Sequence, residues 1–132
     1  MVFRGALMQI ECPCGSGITY DKCCGKYHIG DSFPATAEAL MRSRYSAYAM
    51  KKADYIVQTA LISDKKTAIE EWMKRVEFIK LEIVSIQCGK ALDKKGVVEF
   101  KAWFEYEGKT EVIHEVSAFA KRKGRWFYSF TP

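Results

Sequence analysis

VVEFKAWFEY, Val97 to Tyr106, places Val98, Phe100, Ala102, Phe104 and Tyr106 on one parity and Glu99, Lys101 and Glu105 on the other. A period of two is the signature of a strand with one buried face. Upstream, FIKLEIVSIQCG (Phe78 to Gly89) has the same strand character, and the turn residues Asp93 to Gly96 join the two runs. Downstream, Glu107-Gly108 opens a second turn before TEVIHEVSAFA, and Gly124 joins that run to RWFYSF. The C-terminal half therefore reads as hairpin-linked strands, which pair as an antiparallel sheet.

Before Phe78 the period changes. In PATAEALMRSRYSAYAM, Ala37, Leu40, Met41, Arg44, Tyr45 and Tyr48 recur at steps of three and four, with Thr36 placed to cap. KKADYIVQTALI repeats the pattern through Ile56, Val57, Ala60 and Leu61. SDKKTAIEEWMKRV does so through Ala68, Ile69, Trp72, Met73 and Val76, with Ser63 as the expected cap. Three helices followed by four strands make an α+β domain.

Further toward the N terminus, CPCGSGITYDKCC holds four of the five cysteines: Cys12, Cys14, Cys23 and Cys24. A redox pair needs two intervening residues, and Cys12 and Cys14 have one. A disulfide between the adjacent Cys23 and Cys24 would strain the peptide, since neighbouring α-carbons lie about 3.8 Å apart. Iron–sulfur clusters also take four thiolates, but from more widely spaced runs. Tetrahedral zinc fits best, and four protein ligands leave no open position, so the expected metal is structural. Gly15 and Gly17 allow the tight wrapping, Pro13 stiffens the first pair, and amides after Cys14 can donate to sulfur. His28, four residues past Cys24, is the one rival ligand and reads more simply as an ordinary histidine beside the knuckle.

CPCGSGITYDKCCG resembles the SEC-C motif, the small zinc knuckle named from the tail of the SecA translocation ATPase, with Cys24 where SecA-type tails carry histidine. That resemblance implies a zinc-dependent interaction module rather than a catalytic site. PATAEALMRSRYSAYAMKKADYIVQT together with HEVSAFAKRKGRWFY resembles the YchJ-like family of bacterial proteins. In that family a SEC-C knuckle precedes a nuclear transport factor 2-like domain, a cone of three helices on a curved antiparallel sheet. The superfamily includes enzymes and binding domains alike, so the fold leaves function open. The breaker-rich Gly30-Asp31 divides the chain into a knuckle, residues 1–30, and an α+β domain, residues 31–132.

Composition narrows the function classes. The formal charge is +5, and four thiolates with a dication lower it to +3, only mildly basic. Positive charge concentrates at Lys121 to Arg125, which reads as a hairpin tip, leaving nucleic-acid or ribosome association a weak third class. No run approaches the roughly 18 apolar residues of a membrane span, and MVFRGALMQIE lacks the apolar core of a signal peptide, so a cytoplasmic protein is expected.

A concave pocket between helices and sheet would draw its polar groups from Arg42, Arg44, Tyr45, Tyr48, His114 and Glu115. His114 and Glu115 are strand neighbours and point to opposite faces, which argues against a shared acid–base pair. The preferred arrangement pairs Arg44 with Glu115 as a buried ion pair between the first helix and the sheet. Tyr45, Tyr48, Trp103, Trp126 and Tyr128 are expected in the core, and Cys88 as a buried, inert thiol. The leading functional expectation is an adaptor that meets a protein partner through the knuckle. The runner-up is a small-molecule enzyme or ligand-binding protein using Arg44, Tyr45, Tyr48 and Glu115.

Overall fold

The computed structural model describes residues 10–131; residues 1–9, where the absence of a leader was expected, lie outside them. A 3-10 turn, Tyr20–Lys22, and a one-turn helix α1, Gly25–His28, belong to the cysteine-rich segment. Helices α2 (Ala37–Ala49), α3 (Ala53–Gln58) and α4 (Lys66–Arg75) follow, then strands β1 (Val76–Cys88), β2 (Lys95–Tyr106), β3 (Lys109–Arg122) and β4 (Arg125–Phe130). The strands form one antiparallel meander in the order β1-β2-β3-β4. The α+β reading holds. No helix among the described residues is long and apolar enough to cross a membrane.

The alternation of β2 holds as read. Val98, Phe100, Ala102 and Phe104 are buried, while Val97, Glu99, Lys101 and Trp103 on the other parity are only partly covered. Ala37, Leu40, Met41 and Tyr45 of α2 pack on that inner face with Phe119 and Trp126. Thr36 caps α2, its hydroxyl accepting from the Ala39 amide at 3.0 Å. Register shifts leave Ile79 and Val84 of β1, and Ser129 of β4 opposite Ala118/Phe119, as extra residues in the ladder, bulges of the kind that bend a strand and increase its twist.

One close approach fixes the end of the first hairpin. Gly89, at φ +75°, and Gly96 face each other beneath Ala37, and the Ala37 amide donates to the Gly89 carbonyl at 2.9 Å. A Cβ on Gly96 would lie 2.5 Å from the Gly89 Cα. Gly96 accordingly sits inside β2, where the sequence had suggested a turn.

Several local expectations are corrected. Ser63 does not cap α4; the cap position is Lys65, and the Ser63 hydroxyl donates to the carbonyl of Asp64. Helix α3 ends at Gln58, so Ala60 and Leu61 are not helical. The chain there runs beside β4 instead, the Tyr128 amide donating to Thr59 at 2.8 Å and the Leu61 amide to Tyr128 at 2.9 Å. Cys88 is exposed rather than buried, because it closes β1 at φ 54°. Trp103 lies on the outer face with the Lys80 ammonium 4.8 Å from its ring centroid, and is not core.

Candidate functional site

The cysteine-rich segment folds on itself before it meets anything else. Cys12 and Tyr20 amides donate to the carbonyls of Ile18 and Ile10, at 2.9 and 2.8 Å, tying the two arms together. Gly15 and Gly17 take φ of 81° and 82°, the left-handed conformation that glycine adopts without a side-chain clash. Gly25 opens α1 so close to the preceding turn that a Cβ there would lie 2.7 Å from the Tyr20 carbonyl oxygen.

These turns bring the thiols of Cys12, Cys14, Cys23 and Cys24 within 4.8 Å of one another. The sulfurs of Cys14 and Cys23 stand 3.7 Å apart. Tetrahedral zinc at about 2.3 Å from each sulfur requires sulfur–sulfur edges of roughly 3.8 Å, so the donor set suits the ion in kind and spacing. Four cysteines in this arrangement can hold a metal ion. Cys14 accepts hydrogen bonds from Cys12 and then Cys24, which hold its thiol far below the ordinary range, while contacts with Cys12 and then Cys14, together with burial, push Cys24 far above it. A dication would replace those shared protons. Ser16 supplies support from both its hydroxyl, 3.2 Å from the Cys23 sulfur, and its amide, which donates to Cys14.

His28 stays out of the cluster. Its Nδ1 accepts from the Tyr20 hydroxyl at 2.6 Å and its Nε2 donates to the Ser43 carbonyl at 2.8 Å, a neutral ring bridging the knuckle to α2. Burial lowers its pKa below the ordinary 6.5. A depressed histidine binds more protons unfolded than folded, so the stability from the neutral ring is complete above pH 6.5 and is lost as pH falls below it. Between pH 7.5 and 5.5 the melting temperature of a His28→Gln variant should fall less than that of the parent protein, as read by calorimetry at matched metal loading.

The cluster also leans on the sheet and on α2. The Cys12 sulfur lies 3.4 Å from the Ser46 hydroxyl, Arg42 donates to the Cys14 carbonyl at 2.7 Å, and Leu81 of β1 packs against the thiols. Ser46 was missed from sequence. Its signal is a small polar residue at a buried helical position, one turn from the equally buried Ser43.

A second feature lies beneath the helices, a cavity of about 690 Å³. Arg44, Tyr45, Tyr48 and Glu115 all line it, together with apolar walls from Trp72, Phe78, Phe100 and Ile113. The expected Arg44–Glu115 ion pair is absent from the contacts among the described residues. Arg44 is drawn aside, its Nη1 donating to the Ile56 carbonyl at 2.9 Å and the Thr59 hydroxyl at 2.7 Å, while its guanidinium lies 4.8 Å from the Tyr128 ring centroid. Burial pulls its pKa down, and the nearby Tyr48 opposes the shift most. Among the described residues Glu115 accepts only long bonds, from Thr131 at 3.4 Å and Ser117 at 3.5 Å.

Tyr45 is buried as expected, its hydroxyl has no hydrogen-bond partner among the described residues, and burial, then the Cys14 charge, pushes its pKa up to about 12. Tyr48 is only half-buried, at the cavity wall. His114 faces away from the cavity and bonds Glu99 at 2.8 Å, as strand alternation required. β3 mixes the usual pattern, with Glu115 and Ser117 inward between Ile113 and Phe119, and Val112 and Val116 outward. The Lys121–Arg125 cluster does surround a hairpin turn, at Lys123–Gly124.

Comparison with known proteins agrees with this architecture. The family described as "YchJ, middle NTF2-like domain" matches residues 36–130, and the SEC-C motif matches residues 11–26. A UPF0225 protein of Chromobacterium violaceum is 45% identical, covering 91% of this chain and 90% of its own. A UPF0225 protein of Corynebacterium efficiens is 42% identical, covering 92% of each. The solution structure of a SEC-C motif containing protein from Rhodopseudomonas palustris superposes with a TM-score of 0.83 at 39% identity, over 92% of this chain and 96% of that one. An LEH-like epoxide hydrolase of M. tuberculosis aligns with a TM-score of 0.51 at 15% identity, over 75% of this chain and 82% of that one, a likeness of fold alone.

Proposed function

Because the chain belongs to the YchJ family, whose middle NTF2-like domain spans most of it, we propose that it is a cytoplasmic binding protein with a structural zinc site and a small-molecule cavity. The observation that carries the first part is the closed set of four thiols, Cys12, Cys14, Cys23 and Cys24, within 4.8 Å of one another. Bound zinc would cross-link the two arms of the knuckle and add folding free energy there. With every ligand position taken by the chain, the metal has no site for substrate.

The cavity supports the second part. It is apolar over most of its wall with a few polar groups converging on it, the usual character of a ligand site. His114, the histidine the sequence offered for acid–base work, bonds Glu99 on the opposite face of the sheet, which favours binding over catalysis. The test is a thermal-shift screen of metabolites against zinc-replete full-length protein. A hit should weaken in Phe100→Trp and in Ile113→Trp, each of which pushes a larger ring into the cavity wall; an effect unchanged in both places the ligand elsewhere and refutes the reading.

A protein partner at the knuckle is the second reading, favoured by Ile18 between the two thiol pairs and Ile29 at the end of α1, which are 49% and 74% exposed. An Ile18→Asp/Ile29→Asp variant should keep its metal and fold yet lose such a partner in affinity capture.

A further inference from the structure

We infer that the cavity takes a small zwitterion with an apolar body, of the chemical class of an aromatic amino acid, its carboxylate on Arg44 and its ammonium on Glu115. The inference rests on the reading of the cavity as a ligand site. Two opposite charges line one largely apolar wall and do not pair with each other. Arg44 is deeply enclosed and would be expected to close on the half-buried Glu115, since a buried charge without a counter-charge is costly. Each is instead held by its own anchors. Arg44 spends Nη1 on Ile56 and Thr59, and its Nε and Nη2 donate to no described residue. A guanidinium presents five donors in a planar fork, so an edge suited to a carboxylate is left over. Glu115 accepts from Thr131 and Ser117 at 3.4 and 3.5 Å, and has no lysine, arginine or histidine partner among the described residues.

Charge balance narrows the class further. Asp64 also lines the cavity, so its carboxylates outnumber its one cation, and a simple organic acid would meet net repulsion. A simple amine would leave the Arg44 edge unsatisfied. A molecule carrying both charges answers both, and Trp72, Phe78, Phe100 and Ile113 offer its ring or alkyl group an apolar bed. The requirement for both charges is then a specificity device, because a ligand lacking either leaves one protein charge unpaired in the closed complex.

The test is calorimetric titration of zinc-replete full-length protein with L-phenylalanine, 3-phenylpropanoate, 2-phenylethylamine and 2-phenylethanol. L-phenylalanine should bind at least tenfold more tightly than either singly charged analogue. Glu115→Gln should remove its advantage over 3-phenylpropanoate, and Arg44→Gln its advantage over 2-phenylethylamine. If Arg44→Gln fails to fold, Glu115→Gln decides alone. Binding of 2-phenylethanol or a singly charged analogue as tightly as L-phenylalanine would overturn the zwitterion class while sparing the cavity as a ligand site. No binding by any of the four overturns the zwitterion class, while the cavity reading stands or falls separately on whether a thermal-shift hit is weakened by Phe100→Trp and Ile113→Trp.

Discussion

Replacing Cys14 with serine is expected to leave the protein with less than half an equivalent of zinc and to lower the stability of the entire chain, not of the knuckle alone. Cys14 is fully buried, its sulfur is 3.7 Å from that of Cys23, and its carbonyl accepts from Arg42 of α2. Losing one of four ligands forfeits much of a binding free energy that reaches about 10–16 kcal/mol in zinc-finger peptides. The disturbance should spread, because Ser46, Ser43 and Leu81 contact the knuckle from α2 and β1. A loss of roughly 3 kcal/mol would lower the melting temperature by about 10 °C in a domain of this size. Metal analysis and calorimetry on the same sample check it. An unaltered melting transition for residues 31–132 with the metal gone would show the knuckle to be energetically separate from the sheet.

The second large effect is expected at Trp126. The indole is 3% exposed, packs with Leu40 and Phe119 in the main core, and donates from Nε1 to the Ala35 carbonyl at 3.1 Å. That bond ties β4 to the segment entering α2, 91 positions earlier in the chain. Trp126→Ala should cost about 3–5 kcal/mol through lost burial and an unfilled cavity. Trp126→Phe keeps most of the packing and loses one part-buried hydrogen bond to the exposed Ala35, and should cost about 1 kcal/mol. Chemical denaturation distinguishes the two, and equal losses would mean the hydrogen bond dominates.

Much of this architecture was readable from periodicity because β2 and α2 each bury one face cleanly, as Val98, Phe100 and Ala102 against Leu40, Met41 and Tyr45 show. The thiol cluster was equally legible, since its ligands lie within thirteen residues and their local turns, at Gly15 and Gly17, are dictated by the chain itself. Contacts between distant elements were not. The charges of Arg44 and Glu115 suggested a pair, but Ile56 and Thr59, carried in by the end of α3, take up Nη1 of the guanidinium. No residue near Arg44 in sequence signals that competition. Trp103 and Cys88 illustrate the opposite limit: an aromatic ring and a thiol suit an interior, yet strand parity and a left-handed backbone put them outside. Helix α4 started later than its serine suggested because Ser63 turned its hydroxyl to Asp64.

The backbone bonds joining Thr59 and Leu61 to Tyr128 also bear on behaviour at high concentration. A strand at the border of a sheet offers unsatisfied amides and carbonyls to any other extended chain, the usual opening for polymerisation. Here the α3–α4 connection occupies part of that border, leaving fewer groups on β4 for a neighbouring molecule to extend the sheet. Shortening the connection, or placing proline at Leu61 where the amide donates, should therefore promote self-association through the last strand, read as a rise in mass by light scattering.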